Sequence, residues 1–172
     1  MSVSTASDGQ SQGRLVISTL RFGSAEEVVI FASHLYTFVD PLPGLPDNHR
    51  FALIEEERYA PLRWMQSLDD PLICLPLLPA ALLEFDTEKY RARITAADEG
   101  SGDDLGQGGS VYLVTRQLQD GGKLVVNLMA PIYLDPGNGT GRQVILQDPS
   151  YSLRQGIVWN ARSRKFGLVC SS

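Results

Sequence analysis

The stretch from Val111 to Met129, VYLVTRQLQDGGKLVVNLM, decides the fold. Two apolar runs, Val111 to Leu118 and Leu124 to Met129, flank Asp120-Gly121-Gly122. Val, Tyr and Thr suit a pleated, half-buried surface, and an Asp-Gly pair accepts the positive φ that a tight hairpin turn demands. The segment therefore predicts two antiparallel strands joined by a turn.

Downstream, Pro131 to Leu134 and Val144 to Leu146 flank a glycine-rich turn, Gly137 to Gly141, and predict a second pair. After Tyr151 the pattern weakens, and Arg154, Arg162, Arg164 and Lys165 make the end of the chain basic. Upstream, Leu15, Ile17 and Thr19 alternate with Val16, Ser18 and Leu20, which reads as a strand. Ser24 and Glu27 match a helix capping box, but Val28, Val29, Ile30 and Phe31 favour a strand there. Asp40 to Asp47 (DPLPGLPD) holds three prolines and a glycine, so it predicts an ordered loop or stiff turn. Phe51 to Glu57 returns as a strand.

Pro61 to Leu68 (PLRWMQSL) predicts a short helix: proline suits the first turn, and Leu62, Met65 and Leu68 share a face. Asp69 and Asp70 then read as its polar end. Leu72 to Leu78 predicts a strand that Pro76 assigns to a bulge or an edge. In the acidic region Glu84 to Asp104, Tyr90, Ala92 and Ile94 alternate and predict a short strand before an exposed loop, Gly100 to Gly109. Met1 to Gly13 offers little to bury and predicts a disordered leader. Strands at short spacing predict a mostly β protein, a small antiparallel β-barrel or barrel-like sandwich with one or two short helices. The expected organisation is a leader over 1–13, one β domain over 14–154 and a basic tail over 155–172.

Length and charge narrow the function classes. A chain of 172 residues buries enough surface to fold without a disulfide or metal. The net charge of −5 argues against nucleic acid or an anionic membrane as the main partner, and suits docking on a basic protein. No apolar run reaches the roughly 18 residues of a membrane helix, and the N-terminus lacks a secretory signal, so the expected location is the cytoplasm.

The chemistry-bearing residues do not assemble into a motif. His34 and His49 have no metal-ligand spacing to each other or to a cysteine. Cys74 sits in an apolar run and reads as a small core hydrophobe, while Cys170 lies near the C-terminus. A spatial Cys74–histidine pair is the enzymatic alternative, opposed by apolar surroundings that would raise the thiol pKa. The GNGTG segment at 137–141 lacks the lysine and helix start of a phosphate loop and reads as a turn. Glu55, Glu56 and Glu57 alternate across a strand and cannot easily converge on a metal. No catalytic residue, cofactor or metal is predicted.

Four segments together resemble the flagellar assembly factor FliW family. They are Arg21-Phe22-Gly23; Leu42-Pro43-Gly44-Leu45 leading into Arg50-Phe51; Trp64-Met65-Gln66-Ser67-Leu68-Asp69-Asp70-Pro71; and Val126-Asn127-Leu128-Met129-Ala130-Pro131-Ile132 followed by Gln143-Val144-Ile145-Leu146 and Tyr151. The resemblance covers about residues 15–154. Leu45 and Met65 stand where the family often has phenylalanine and leucine. The resemblance implies a small β-barrel with two alternative protein partners, flagellin and the translational repressor CsrA, and no direct contact with nucleic acid. Partner-binding candidates are Trp64, Leu42 and Leu45 as apolar contacts and Glu55, Glu56, Glu57, Asp69 and Asp70 as charged ones, with Asp98 to Asp104 a second acidic stretch. Trp64 has core packing as its competing role, and Asn127 reads as a turn cap. A small-ligand-binding barrel without catalytic activity is the alternative function.

Overall fold

The computed structural model describes residues 4–5, 13–21, 24–98, 108–119 and 122–169. The chain is mostly β, with thirteen strands and one α-helix among these residues. The strands are β1 Ser4–Thr5, β2 Arg14–Arg21, β3 Ser24–Phe31, β4 Leu35–Phe38, β5 Arg50–Ile54, β6 Arg63–Ser67, β7 Cys74–Pro79, β8 Ser110–Gln117, β9 Leu124–Val126, β10 Ile132–Asp135, β11 Thr140–Gln143, β12 Gln155–Asn160 and β13 Lys165–Leu168. The helix, α1, is Thr87–Asp98. One sheet has the order β1-β2-β3. The other has the order β10-β11-β4-β5-β6-β7-β8-β9-β12-β13, and an added β10–β8 pairing closes seven strands into the ring of a barrel.

The chain forms two compact units, Met1–Pro76 with Leu134–Arg142, and Leu77–Tyr133 with Gln143–Ser172. In the first unit, β2 and β3 pair antiparallel from Arg14↔Phe31 to Arg21↔Ser24. β1, from within the expected leader, adds Ser4↔Val16 and Thr5↔Leu15; the other residues of 1–12 lie outside the described set. Val28 and Ile30 are buried while Val29 is exposed, the period-two pattern of a strand with one wet face. Ile17, Val28 and Ile30 pack with Ala52, Ile54 and Trp64 into one apolar cluster, against which Cys74 is half-buried. The β4–β11 pairing is parallel, Thr37↔Thr140 and Phe38↔Gly141.

The segment Pro61–Leu68 is not the expected helix. Its core is β6, paired with β5 through Phe51↔Ser67, Ala52↔Gln66, Leu53↔Met65 and Ile54↔Trp64. Trp64 through Ser67 are all buried, so both strand faces are covered. Eight residues are too few for a self-sustaining helix, and ladder bonds with burial on both faces outweigh the three-residue spacing. Asp69 and Asp70 accordingly sit in the turn that follows a strand, not at a helix end.

In the second unit, the predicted hairpin forms as β8 and β9, with Thr115↔Val126 and Gln117↔Leu124; Asp120 and Gly121 of its turn lie outside the described residues. The short strand expected around Tyr90 to Ile94 is instead α1. The Asp86 carboxylate accepts the Lys89 N–H at 2.9 Å and caps the helix. Tyr90 and Ile94, four residues apart, supply its buried face. Glu99 to Gln107, most of the acidic stretch and of the predicted loop, lies outside the described residues.

Pro76 does not mark an edge strand: β7 lies between β6 and β8, and its register with β8 begins after the proline, at Leu77↔Val114. Residues 144–146 are not a strand; the strand of that pair is β11. Val144 and Leu146 still donate to Pro131 O and Met129 O at 3.0 and 2.7 Å. Residues 155–168, where the sequence pattern weakens, form the β12–β13 hairpin, with Ile157↔Leu168, Trp159↔Phe166 and Asn160↔Lys165.

Candidate functional site

Two of the quoted segments meet in the first unit. Between β4 and β5 the chain turns twice, with Leu45 donating to Leu42 O at 2.8 Å and Asn48 to Leu45 O at 3.1 Å. Gly44 takes φ +86°, a left-handed value that side chains rarely adopt. After β6 the chain turns again through Asp69 and Asp70.

Three buried polar side chains join these turns. Ser67 Oγ donates to Asn48 Oδ1 at 2.5 Å and accepts the N–H groups of Asp69 and Asp70 at 3.1 and 3.0 Å. Gln66 accepts from Thr19 Oγ1 at 2.6 Å, and its amide donates to the Pro71 and Ile73 carbonyls at 3.2 and 3.0 Å. Asp69 closes the arrangement. Its Oδ2 accepts the His49 and Arg50 N–H groups, both at 2.8 Å, and its Oδ1 accepts Arg50 Nε and Nη2 at 2.8 and 2.7 Å. Burial pulls against the Asp69 charge, but the backbone donors and the Arg50 guanidinium outweigh it and hold the carboxyl below its ordinary pKa. His49 Nδ1 lies 2.9 Å from the Phe38 carbonyl, which can only accept, so that nitrogen carries the proton.

This network fixes a rigid surface and leaves large apolar groups outside it. Val39, next to Phe38, is 83% exposed, and Leu72, whose N–H is held by Asp70 at 2.9 Å, is 69% exposed. Rigid loops carrying exposed apolar side chains can bind a protein surface at low ordering cost. The sequence candidates divide differently. Trp64 is 9% exposed within the apolar cluster, edge-on to Tyr59 at 5.7 Å, and Leu42 is buried, while Leu45 is half-buried. Asp69 and Asp70 stabilise turns. Arg63 contacts Glu55, and Arg58 contacts both Glu56 and Glu26, so the acidic run is interleaved with arginines; Glu57 is exposed. Val39 and Leu72 were not singled out by sequence, because each adjoins an apolar residue, Phe38 or Ile73, and reads as part of a strand.

In the second unit Asn127 Oδ1 accepts the Met129 and Ala130 N–H groups at 3.0 and 3.1 Å, the turn cap expected of it. Tyr90 donates to Leu128 O at 2.6 Å, and burial pushes its phenol pKa far above the ordinary value. A cleft of about 290 Å³ is lined by Pro79, Ala80, Thr87, Tyr90, Arg91 and Tyr112 among others. Among the described residues no cluster of His, Cys, Asp and Glu could hold a metal, and no helix is long and apolar enough to cross a membrane.

Residues 17–157 match the family model described as FliW protein. The chain is 28% identical over 151 residues to a flagellar assembly factor FliW of Bdellovibrio bacteriovorus, covering 87% of this chain and 83% of that one. It is 28% identical over 130 residues to one from Thermotoga petrophila, covering 74% and 85%. A crystal structure of the flagellar assembly factor FliW shares the fold, with TM-score 0.57 at 20% identity over 81% of this chain and 94% of that one.

Proposed function

This chain belongs to the FliW family, and from that premise we propose that it is a cytoplasmic flagellar assembly factor that binds flagellin and CsrA as alternative partners. It acts by binding, not catalysis. Flagellin in excess occupies it and leaves CsrA free to repress flagellin synthesis; export of flagellin releases it to take CsrA off the messenger. The observation that carries this reading is the family match over residues 17–157. The locked turns at Asn48, Ser67 and Asp69 support it, because they convert two of the resembling segments into a single stiff surface.

The electrostatics agree. A protein of net charge −5 docked beside a basic RNA-binding surface lowers the local positive potential and repels phosphate. The effect is reciprocal: if this protein weakens RNA binding to CsrA, RNA weakens its binding by the same factor. Flagellin would meet apolar side chains such as Val39 and Leu72 through an amphipathic segment.

Titration calorimetry against the flagellin and CsrA of the same organism tests the proposal. Saturable binding to each, with each displacing the other, is expected. Absence of heat with both partners at tens of micromolar (about −6 to −7 kcal/mol of binding free energy) would overturn it and return attention to a small ligand.

A further inference from the structure

The β12–β13 hairpin extends past residue 157, where the family match ends. Its charge is opposite to that of the molecule. Pro149 to Ser172 contains no Asp or Glu and four cations, Arg154, Arg162, Arg164 and Lys165, against a net −5 for the whole chain. Arg162, Arg164 and Lys165 are exposed in the hairpin turn and the first residue of β13. No ion pair among the described residues engages these three.

The turn is built, not loose. Arg164 N–H donates to Asn160 O at 2.9 Å with Arg164 at φ 55°, and Asn160 Oδ1 accepts the Arg162 N–H at 3.1 Å. Glu84 accepts from Asn160 Nδ2 at 2.9 Å and from the Ser163 hydroxyl, and its N–H donates to Phe166 O at 2.8 Å. Beside this turn Trp159 is 48% exposed, with Phe166 edge-on at 4.9 Å. A half-exposed indole held by a second ring, with three cations a few residues away, is apolar area joined to positive charge on one hairpin.

We infer that this hairpin is a docking surface for an acidic, apolar peptide segment of a partner protein, its carboxylates on Arg162, Arg164 and Lys165 and an apolar side chain on Trp159. Charge complementarity selects the occupant. A short acidic segment meets only the hairpin. A nucleic acid or an anionic bilayer extends further and meets the rest of the chain, whose net charge without the four cations is −9. The inference goes beyond the proposed function and does not require it, since neither flagellin nor CsrA enters the test.

The test uses the full-length protein and a fluorescein-labelled peptide repeating Glu-Leu-Asp-Phe, followed by anisotropy. The same peptide with Lys in place of its acids, an oligouridylate and phosphatidylglycerol vesicles are run beside it. The acidic peptide is expected to saturate, to bind at least about tenfold more tightly than the Lys peptide, and to weaken with added salt. R162E/R164E/K165E and, separately, W159A should each weaken it about tenfold while circular dichroism stays unchanged. In the wild type the emission of exposed Trp159 should shift to the blue on binding. Equal affinity for the two peptides, or no saturation with the acidic one, would overturn the proposal without any variant. So would tighter binding of oligouridylate or vesicles, which would reassign the hairpin to RNA or membrane.

Discussion

Asp69 satisfies two backbone N–H groups and a guanidinium with one carboxylate, and removing it leaves those donors without their acceptor. Asp69→Ala should cost about 1–3 kcal/mol in urea unfolding near neutral pH. The sign with pH follows from the lowered pKa. The contribution is full above the ordinary carboxyl pKa of about 4 and fades as pH falls through the lower folded value. The gap between wild type and variant should therefore narrow toward about pH 3; a gap independent of pH would show that the charge is not what holds the turns. This role was not legible in the sequence. From sequence Asp69 reads as a helix end or a charged contact, because the residues it joins are distant in the chain and only pairing of β5 with β6 brings them together. For Trp64 both roles, aromatic anchor and core residue, were legible; that it lies in the core follows from its packing with Ile17 of β2 and Val28 and Ile30 of β3, which sequence alone does not place there.

At the scale of elements, hairpins and proline-rich loops were legible where local chemistry dictates them. Asp-Gly-Gly between two β-branched runs, and three prolines within eight residues, each leave few alternatives. Segments with two compatible periods were not. Tyr90 and Ile94 fit a strand by alternation and a helix by four-residue spacing, and the decisive cue was the Asp86 cap. Pro61–Leu68 fits a helix until β5 supplies ladder bonds. The β12–β13 hairpin turns through Asn160 to Arg164 without glycine or proline, so only the weaker turn residues Asn160 and Ser163 marked it. One pairing can be tested sharply. A Cβ at Gly141 would sit 2.3 Å from Phe38 Cε2 and 2.9 Å from Leu134 Cδ2. Gly141→Ala should overpack the parallel β4–β11 pairing and lower stability by about 1–3 kcal/mol. An unchanged thermal midpoint would mean that the Phe38 ring moves freely aside.

For the molecule as a whole, sequence composition speaks to the class of partner to expect and not to the place of contact. The acidic balance is a sum over the chain, whereas a contact surface depends on which carboxylates keep their charge uncompensated. Glu55 and Glu56 lie against Arg63 and Arg58, pairs exposed enough to contribute little to stability. Reversing Glu55, Glu56 and Glu57 to lysine should therefore leave the fold intact. It should weaken binding to CsrA about tenfold at low ionic strength, less in added salt. Calorimetry giving the wild-type affinity would remove this run from the interface.

The division into two units has a consequence for synthesis on the ribosome. The first unit takes Leu134–Arg142 from late in the chain, and β4 gains its parallel neighbour only when Thr140 and Gly141 arrive. At ~5–20 residues per second, the strands before Pro76 wait on the order of several seconds for that segment to emerge. During that interval one side of β4 lacks its neighbour, an open edge able to pair with a nascent chain on the same messenger. No single cut in the polypeptide separates the units, so an early stop before residue 134 yields neither of them whole.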